Sequence, residues 1–165
     1  MSRLLVAAAL SATLAGCSSG SSPGAPGGTK PSSTAADAAS VEAYLAAVNA
    51  LCDALLPKVV AATHGGRFDV PAHEFLATWP AHRRLLEGFD RDLATITVPA
   101  AAASEAAALA AYVRFAKRID TARVTAAQEG EAAYAKEVRA ESGIANDPAI
   151  IALYAAGFNQ SCTAR

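Results

Sequence analysis

Beyond residue 40 the apolar residues of this chain recur at helical spacing. Val41, Leu45, Val48, Cys52, Leu55 and Val59 follow one another at alternating intervals of four and three, with Tyr44, Leu51 and Leu56 flanking them. That is one buried stripe of a helix. Ser40 reads as its N-cap, and Pro57, inside the pattern, removes a backbone donor and predicts a bend. His64-Gly65-Gly66 marks its end. Asp69 and Pro71 open a second helical region, which Pro80 is expected to divide at Thr78-Trp79-Pro80. The longer part sets His82, Leu86, Phe89, Leu93 and Ile96 on one face. Arg83, Glu87 and Arg91 form an i,i+4 ladder on the other.

Val98-Pro99 stops the second region, and a third helix begins within the alanine run that follows. Its expected seam is Ala108, Tyr112, Phe115, Ile119, Ala122 and Ala126, and Gly130 is its C-terminal cap. A fourth region runs from Glu131 to about Glu141 through Tyr134 and Val138 and breaks at Ser142-Gly143. It resumes with Asn146 or Asp147 as cap and Pro148 in the first turn, then carries Ile150, Ile151, Leu153, Tyr154, Gly157 and Phe158. No stretch alternates apolar and polar residues, so strands are not expected. Four helical regions with short connections predict an all-α domain, a four-helix up-and-down bundle with a broken fourth helix.

The first residues follow a different pattern. Arg3 precedes an uncharged run from Leu4 to Leu14, too short to span a bilayer, and the small residues Ala15 and Gly16 stand before Cys17. Leu14-Ala15-Gly16-Cys17 resembles the lipobox of bacterial lipoproteins. The resemblance implies cleavage before Cys17, diacylglycerol on its thiol and acylation of the new amino terminus. One acyl chain binds membranes only marginally, whereas two or three make a durable anchor. Ser18 to Ala36 is Ser, Gly, Pro, Thr and Ala with a single Lys30, a composition expected to stay flexible with a reach of about 25 Å. Thr29, Ser32, Ser33 and Thr34 beside proline would suit O-glycosylation. The chain thus divides into a removed signal peptide at 1–16, a lipidated tether at 17–36 and a helical domain at 37–165.

Alanine supplies 44 of the 165 residues, so the 53% hydrophobic content overstates the core and points to closely approaching helices. Without Arg3 the charge is near −2, which favours neither nucleic-acid binding nor a polybasic grip on lipid headgroups. The layout also resembles the small alanine-rich helical lipoproteins of actinobacteria. The matching residues are Asn49 to Cys52 (NALC), Val98 to Ala100 (VPA) and Gly157 to Cys162 (GFNQSC), with arginine outnumbering lysine. That group shares no activity, so the resemblance implies fold and location alone.

Catalytic patterns fail on inspection. G-x-S-x-G occurs at Gly16 to Gly20 and at Gly20 to Gly24, in or beside the tether, where no strand and helix frame the serine. His73-Glu74 has Ala77 where a zincin needs its second histidine, and no Glu-x-x-His exists for a di-iron bundle. His64, His73, His82 and Asp69 gather near one turn without a coordination spacing. No cofactor, metal or enzymatic activity is expected.

Arg114, Lys117 and Arg118 form a candidate basic patch for an anionic envelope polymer. Tyr112, Phe115, Tyr134, Tyr154, Phe158 and Trp79 read as core, with a ligand pocket between helices as the alternative. Once lipid occupies Cys17, Cys52 and Cys162 remain as an even pair in an oxidising compartment, which predicts one disulfide. The expected protein is an extracytoplasmic accessory or interaction protein, held to the cell membrane by its lipid, whose partner is an envelope protein or polymer. A carrier or sensor of a small apolar ligand is the competing reading.

Overall fold

The computed structural model describes residues 35–65, 67 and 69–163. Every regular element among them is helical, as the periodicities predict: five α-helices and three short 3₁₀ turns. The signal peptide, Cys17 and the tether up to residue 34 lie outside the described residues.

Helix α1 spans Ala35–Ala62, so Ser40 is not its cap. Four of the five residues before Ser40 are alanine, the best helix former, and Asp37 complements the dipole in the first turn. Ser40 sits inside the helix, its Oγ donating to the Ala36 carbonyl at 2.7 Å. The helix ends where Gly65 N donates to the Val60 carbonyl at 3.1 Å, with His64 at φ 38° and Gly65 at φ 76°. This is a Schellman-type closure with histidine in the left-handed position.

Helix α2 spans Ala72–Leu93 and passes through Pro80 without dividing, contrary to expectation. Phe75 is buried before the proline, and His82, Leu86 and Phe89 are buried after it. Packing on both sides therefore outweighs the single backbone bond that proline forfeits. The first amide of α2, Ala72 N, donates to Glu131 Oε2 at 2.8 Å. A carboxylate from a later helix thus satisfies an orphan donor and the positive end of the dipole.

A 3₁₀ turn at Ala100–Ala102 leads into α3, Ala103–Glu129. Its buried side comprises Leu109, Tyr112, Phe115, Ala116, Asp120, Arg123, Ala126 and Ala127. Of the expected seam Tyr112, Phe115 and Ala126 are buried, whereas Ala108, Ile119 and Ala122 are only half-buried. Two charged residues on the buried side misled the apolar periodicity.

Gly130, at φ 117°, joins α3 directly to α4, Glu131–Ala140. The expected break is a 3₁₀ stretch at Glu141–Asn146. Asp147 is the cap of α5, Pro148–Ala155, its Oδ1 accepting from Ala149 N at 2.8 Å. Gly157, at φ 92°, then turns the chain, and Phe158 N donates to the Leu153 carbonyl at 3.3 Å.

In the core α1 packs on α2, on the Ala100–Ala102 turn and on the closing 3₁₀ turn at Gln160–Thr163, while α3 packs on α2, α4 and α5. Val48, Ala102 and Leu153 are fully enclosed. A smaller cluster gathers Ala72, Phe75, Ala127 and Tyr134. Helix α1 is long and apolar enough to cross a membrane by length and composition. In the fold its stripe of Tyr44, Val48, Cys52, Leu55 and Val59 lines the core.

The chain's last turn is clasped to α1. Cys52 and Cys162 are disulfide-bonded, with Cα atoms 4.8 Å apart. One helical turn before Cys52, Asn49 Oδ1 accepts from Asn159 N at 2.8 Å and Asn49 Nδ2 donates to the Gly157 carbonyl at 3.4 Å. On the other flank Ser161 Oγ donates to Asp53 Oδ1 at 2.5 Å. The NALC and GFNQSC segments are thus the two halves of one clasp.

Candidate functional site

Helices α2 and α3 leave an open groove of about 450 Å³ between them. From α2 it takes Trp79, Arg83, Leu86, Glu87 and Asp90, and from α3 Lys117, Asp120, Thr121, Val124 and Thr125. Both sets fall at helical spacing, so each helix turns one face to the groove. Trp79, Leu86 and Val124 supply apolar wall. Trp79 is fixed by stacking on Phe75 at 5.7 Å, and its ring also meets His82 edge to face at 5.4 Å.

Two ion pairs stand at the rim. Arg83 Nε lies 2.8 Å from Glu87 Oε1, the first rung of the expected ladder, and Lys117 Nζ lies 2.8 Å from Asp90 Oδ2, linking the two helices. Asp120 is different, because its residue is only 7% exposed while it lines the groove. The Thr121 and Thr125 hydroxyls donate to the carbonyls of Lys117 and Thr121, at 2.8 and 3.0 Å. Their free lone pairs can only accept. The lining thus includes three carboxylates, Glu87, Asp90 and Asp120, and two cations, Arg83 and Lys117.

A second polar feature is buried between α3 and the 3₁₀ stretch. Arg123 of α3 grips Glu141, the first residue of the 3₁₀ stretch, with Nε 2.9 Å from both carboxylate oxygens and an Nη2 bond alongside. The two side chains are 10% and 8% exposed. Tyr134, fully buried, stacks on Phe75 at 5.1 Å. Burial pushes its hydroxyl up to about 12; Glu141, Glu131 and Asp69 push the same way and Arg123 opposes them. Arg123, Glu141 and Tyr134 hold α3, α4 and the break together.

The expected site residues are distributed otherwise. Arg114, Lys117 and Arg118 are all exposed on α3 and each has a different neighbour: Lys117 is paired with Asp90, Arg118 lies over the Phe115 ring at 5.3 Å, and Arg114 borders a hollow with Leu93 and Val98. Of the six aromatics, Tyr112, Phe115, Tyr134 and Phe158 are packed core, and Tyr154 is exposed with its hydroxyl on Thr163. Trp79 alone lines the groove. The histidines do not gather either. His82 is buried on α2, exposed His64 faces Glu74 at 4.0 Å, and Asp69 is held by Arg67, which keeps its carboxyl below the usual range.

Sequence reasoning missed Asp120 and the threonines after it. Polar residues at 117, 120, 121 and 125 recur at helical spacing on a helix otherwise read for apolar ones, and that recurrence was the available signal. Comparison of the chain with protein-family models, with curated proteins and with solved structures finds no match.

Proposed function

We propose that this chain is a lipid-anchored accessory protein of the bacterial envelope, displayed on the extracytoplasmic face, that binds another envelope component in the α2–α3 groove without transforming it. The packing of α1 on α2, α2 on α3, and α3 on α4 and α5 supports an up-and-down four-helix bundle whose fourth helix is broken. The Leu14 to Cys17 motif supplies the anchor and the Ser/Gly/Pro segment the tether. The groove carries the reading: a concave, apolar-walled, charge-rimmed surface on the outside of a filled core. A carrier of an apolar ligand inside the bundle has less support, since four of the six aromatics that would line its cavity are packed core, Tyr154 is exposed and Trp79 faces the open groove. The basic patch has less support too, with Lys117 already paired.

Two measurements in intact cells test this. A photo-cross-linking residue at Thr125 should capture a defined neighbour, whereas one at Ala47, on the exposed side of α1, should not. Equal capture from both positions, or none from Thr125, counts against the groove. Separately, Cys17→Ala should move the protein from the membrane fraction to the medium or leave the precursor uncut. Equal incorporation of labelled fatty acid into both forms would remove the anchor.

A further inference from the structure

We infer that one face of the domain rests on the lipid bilayer, with Arg114 at the level of the lipid phosphates. The face comprises the end of α2, the connection that follows it and the first half of α3. This assignment rests on the lipid-anchor reading and adds which side of the domain meets the membrane.

Charge is missing where water would favour it. Between Asp92 and Arg114 the chain carries a single charged residue, Glu105. Every exposed position from 94 to 113 is alanine, serine, threonine or valine. Further along the same helix the exposed positions include Arg114, Lys117, Arg118, Gln128 and Glu129. The change falls within α3, so the alanine-rich composition of the chain does not account for it. The hydroxyls on this face are largely turned onto the protein itself. Thr95 Oγ1 donates to the Asp92 carbonyl at 2.7 Å, and Ser104 Oγ donates to Glu105 Oε2 at 2.9 Å. A protein partner is met by hydrogen-bonding groups and a polar rim. A lipid surface instead favours a face whose polar groups are already satisfied.

The face is also hollowed. Leu93, Ile96 and Val98 with Leu109 and Val113 of α3 line an open hollow of about 370 Å³, which Tyr44 of α1 also borders. Val98 is 47% exposed there. Arg114 is the single charged residue of this lining and is itself exposed. An apolar hollow with a cation at its edge matches a phospholipid, acyl carbons on the wall and phosphate on the guanidinium.

Connectivity supplies the proximity. Helix α1 begins at Ala35, about 14 Å along its axis from Tyr44. From Ser18 to Thr34 the composition gives a reach of about 25 Å. With lipid on Cys17, the start of α1 stays within that reach of the bilayer. A short flexible linker sets an effective concentration in the millimolar range, so a weak lipid contact suffices. The α2–α3 groove is left to its partner, since Thr125 lies about 16 Å further along α3 than Arg114.

Photolabelling from the lipid tests the face directly. The mature protein, purified from membranes, is reconstituted into vesicles of phosphatidylcholine and phosphatidylglycerol. A phosphatidylcholine carrying a diazirine near one acyl carbonyl is included. After irradiation and trypsin digestion, peptide 92–114 should carry at least about five-fold more lipid adduct than peptide 124–136. Val98→Asp, which sets a charge on the face at an exposed position, should cut that labelling several-fold. Val98→Ala, which adds no charge, should keep it. Arg114→Gln, read on the longer peptide 92–117, should lower it by about two-fold. Equal adduct on the two peptides overturns the inference, as does labelling indifferent to Val98→Asp or to Arg114→Gln. The same digest reports the lipid on Cys17 and so separates the two readings. Lipid on Cys17 with no preference for peptide 92–114 leaves the anchor standing and removes the face. An unmodified Cys17 removes the anchor, and the face with it.

Discussion

Tyr134 shows how one buried side chain couples this fold to pH. Its phenol has an ordinary value of 10.0, and burial beside Phe75 and Ala127 pushes it up to about 12 against the opposing charge of Arg123. The folded protein therefore keeps a proton that the unfolded chain releases between these values. Stability from this source is fully present below pH 10, declines above it and is lost by about pH 12. Melting temperature should fall over that window, and Tyr134→Phe, which cannot ionise, should flatten the Tyr134 part of the fall. An identical alkaline decline in both proteins would show that the phenol does not contribute. The substitution also probes whether the hydroxyl matters at neutral pH, since phenylalanine keeps a ring to stack on Phe75.

Among the elements, the sequence made legible what depends on local signals. The α1 stripe from Val48 to Val59, the Gly130 junction, the break after Ala140, and the Asp147-Pro148 start of α5 all follow from periodicity, glycine conformation and capping chemistry. Legibility ended where partners are distant in the chain. Glu131 capping α2, Phe75 and His82 carrying a helix across Pro80, and Arg123 on the inner side of α3 become sensible only once the elements they pack against are in place. The groove shares that limit, since its two walls lie about forty residues apart and only the Arg83–Glu87 rung was local. The Arg123–Glu141 pair is the sharpest case for measurement. Removing either partner alone leaves a buried charge uncompensated and should cost about 3–5 kcal/mol, whereas replacing both with apolar residues of similar size should cost much less. Denaturant unfolding of Arg123→Met, Glu141→Leu and the double variant tests this. Additive losses in the double variant would show that the two charges are solvated independently.

For the molecule as a whole, the decisive constraint is the clasp between α1 and the last turn. Alanine-rich helices bury little area per side chain, so their packing leaves a narrow margin within a typical total of about 5–15 kcal/mol. The Cys52–Cys162 bond closes a loop with a sequence separation of 110, and restricting the unfolded chain by such a loop contributes about 4–5 kcal/mol in the chain-entropy treatment. That is a large share of the margin. Both sulfurs lie in nearly closed surroundings, with Cys52 and Cys162 only 1% and 3% exposed, so the folded protein should resist mild reductants. The polar contacts of Asn49 and Asp53 with Asn159 and Ser161 persist without the bond, so the reduced chain should remain helical yet melt lower. For a domain of about 130 residues the loss corresponds to a drop on the order of 15 °C. Cys162→Ser should reproduce the drop, and thiol titration of the unreduced, denatured protein should find neither Cys52 nor Cys162 reactive. Two thiols titrating under those conditions, or a melting temperature indifferent to both reduction and Cys162→Ser, would mean that packing and the polar contacts alone hold the chain end against α1.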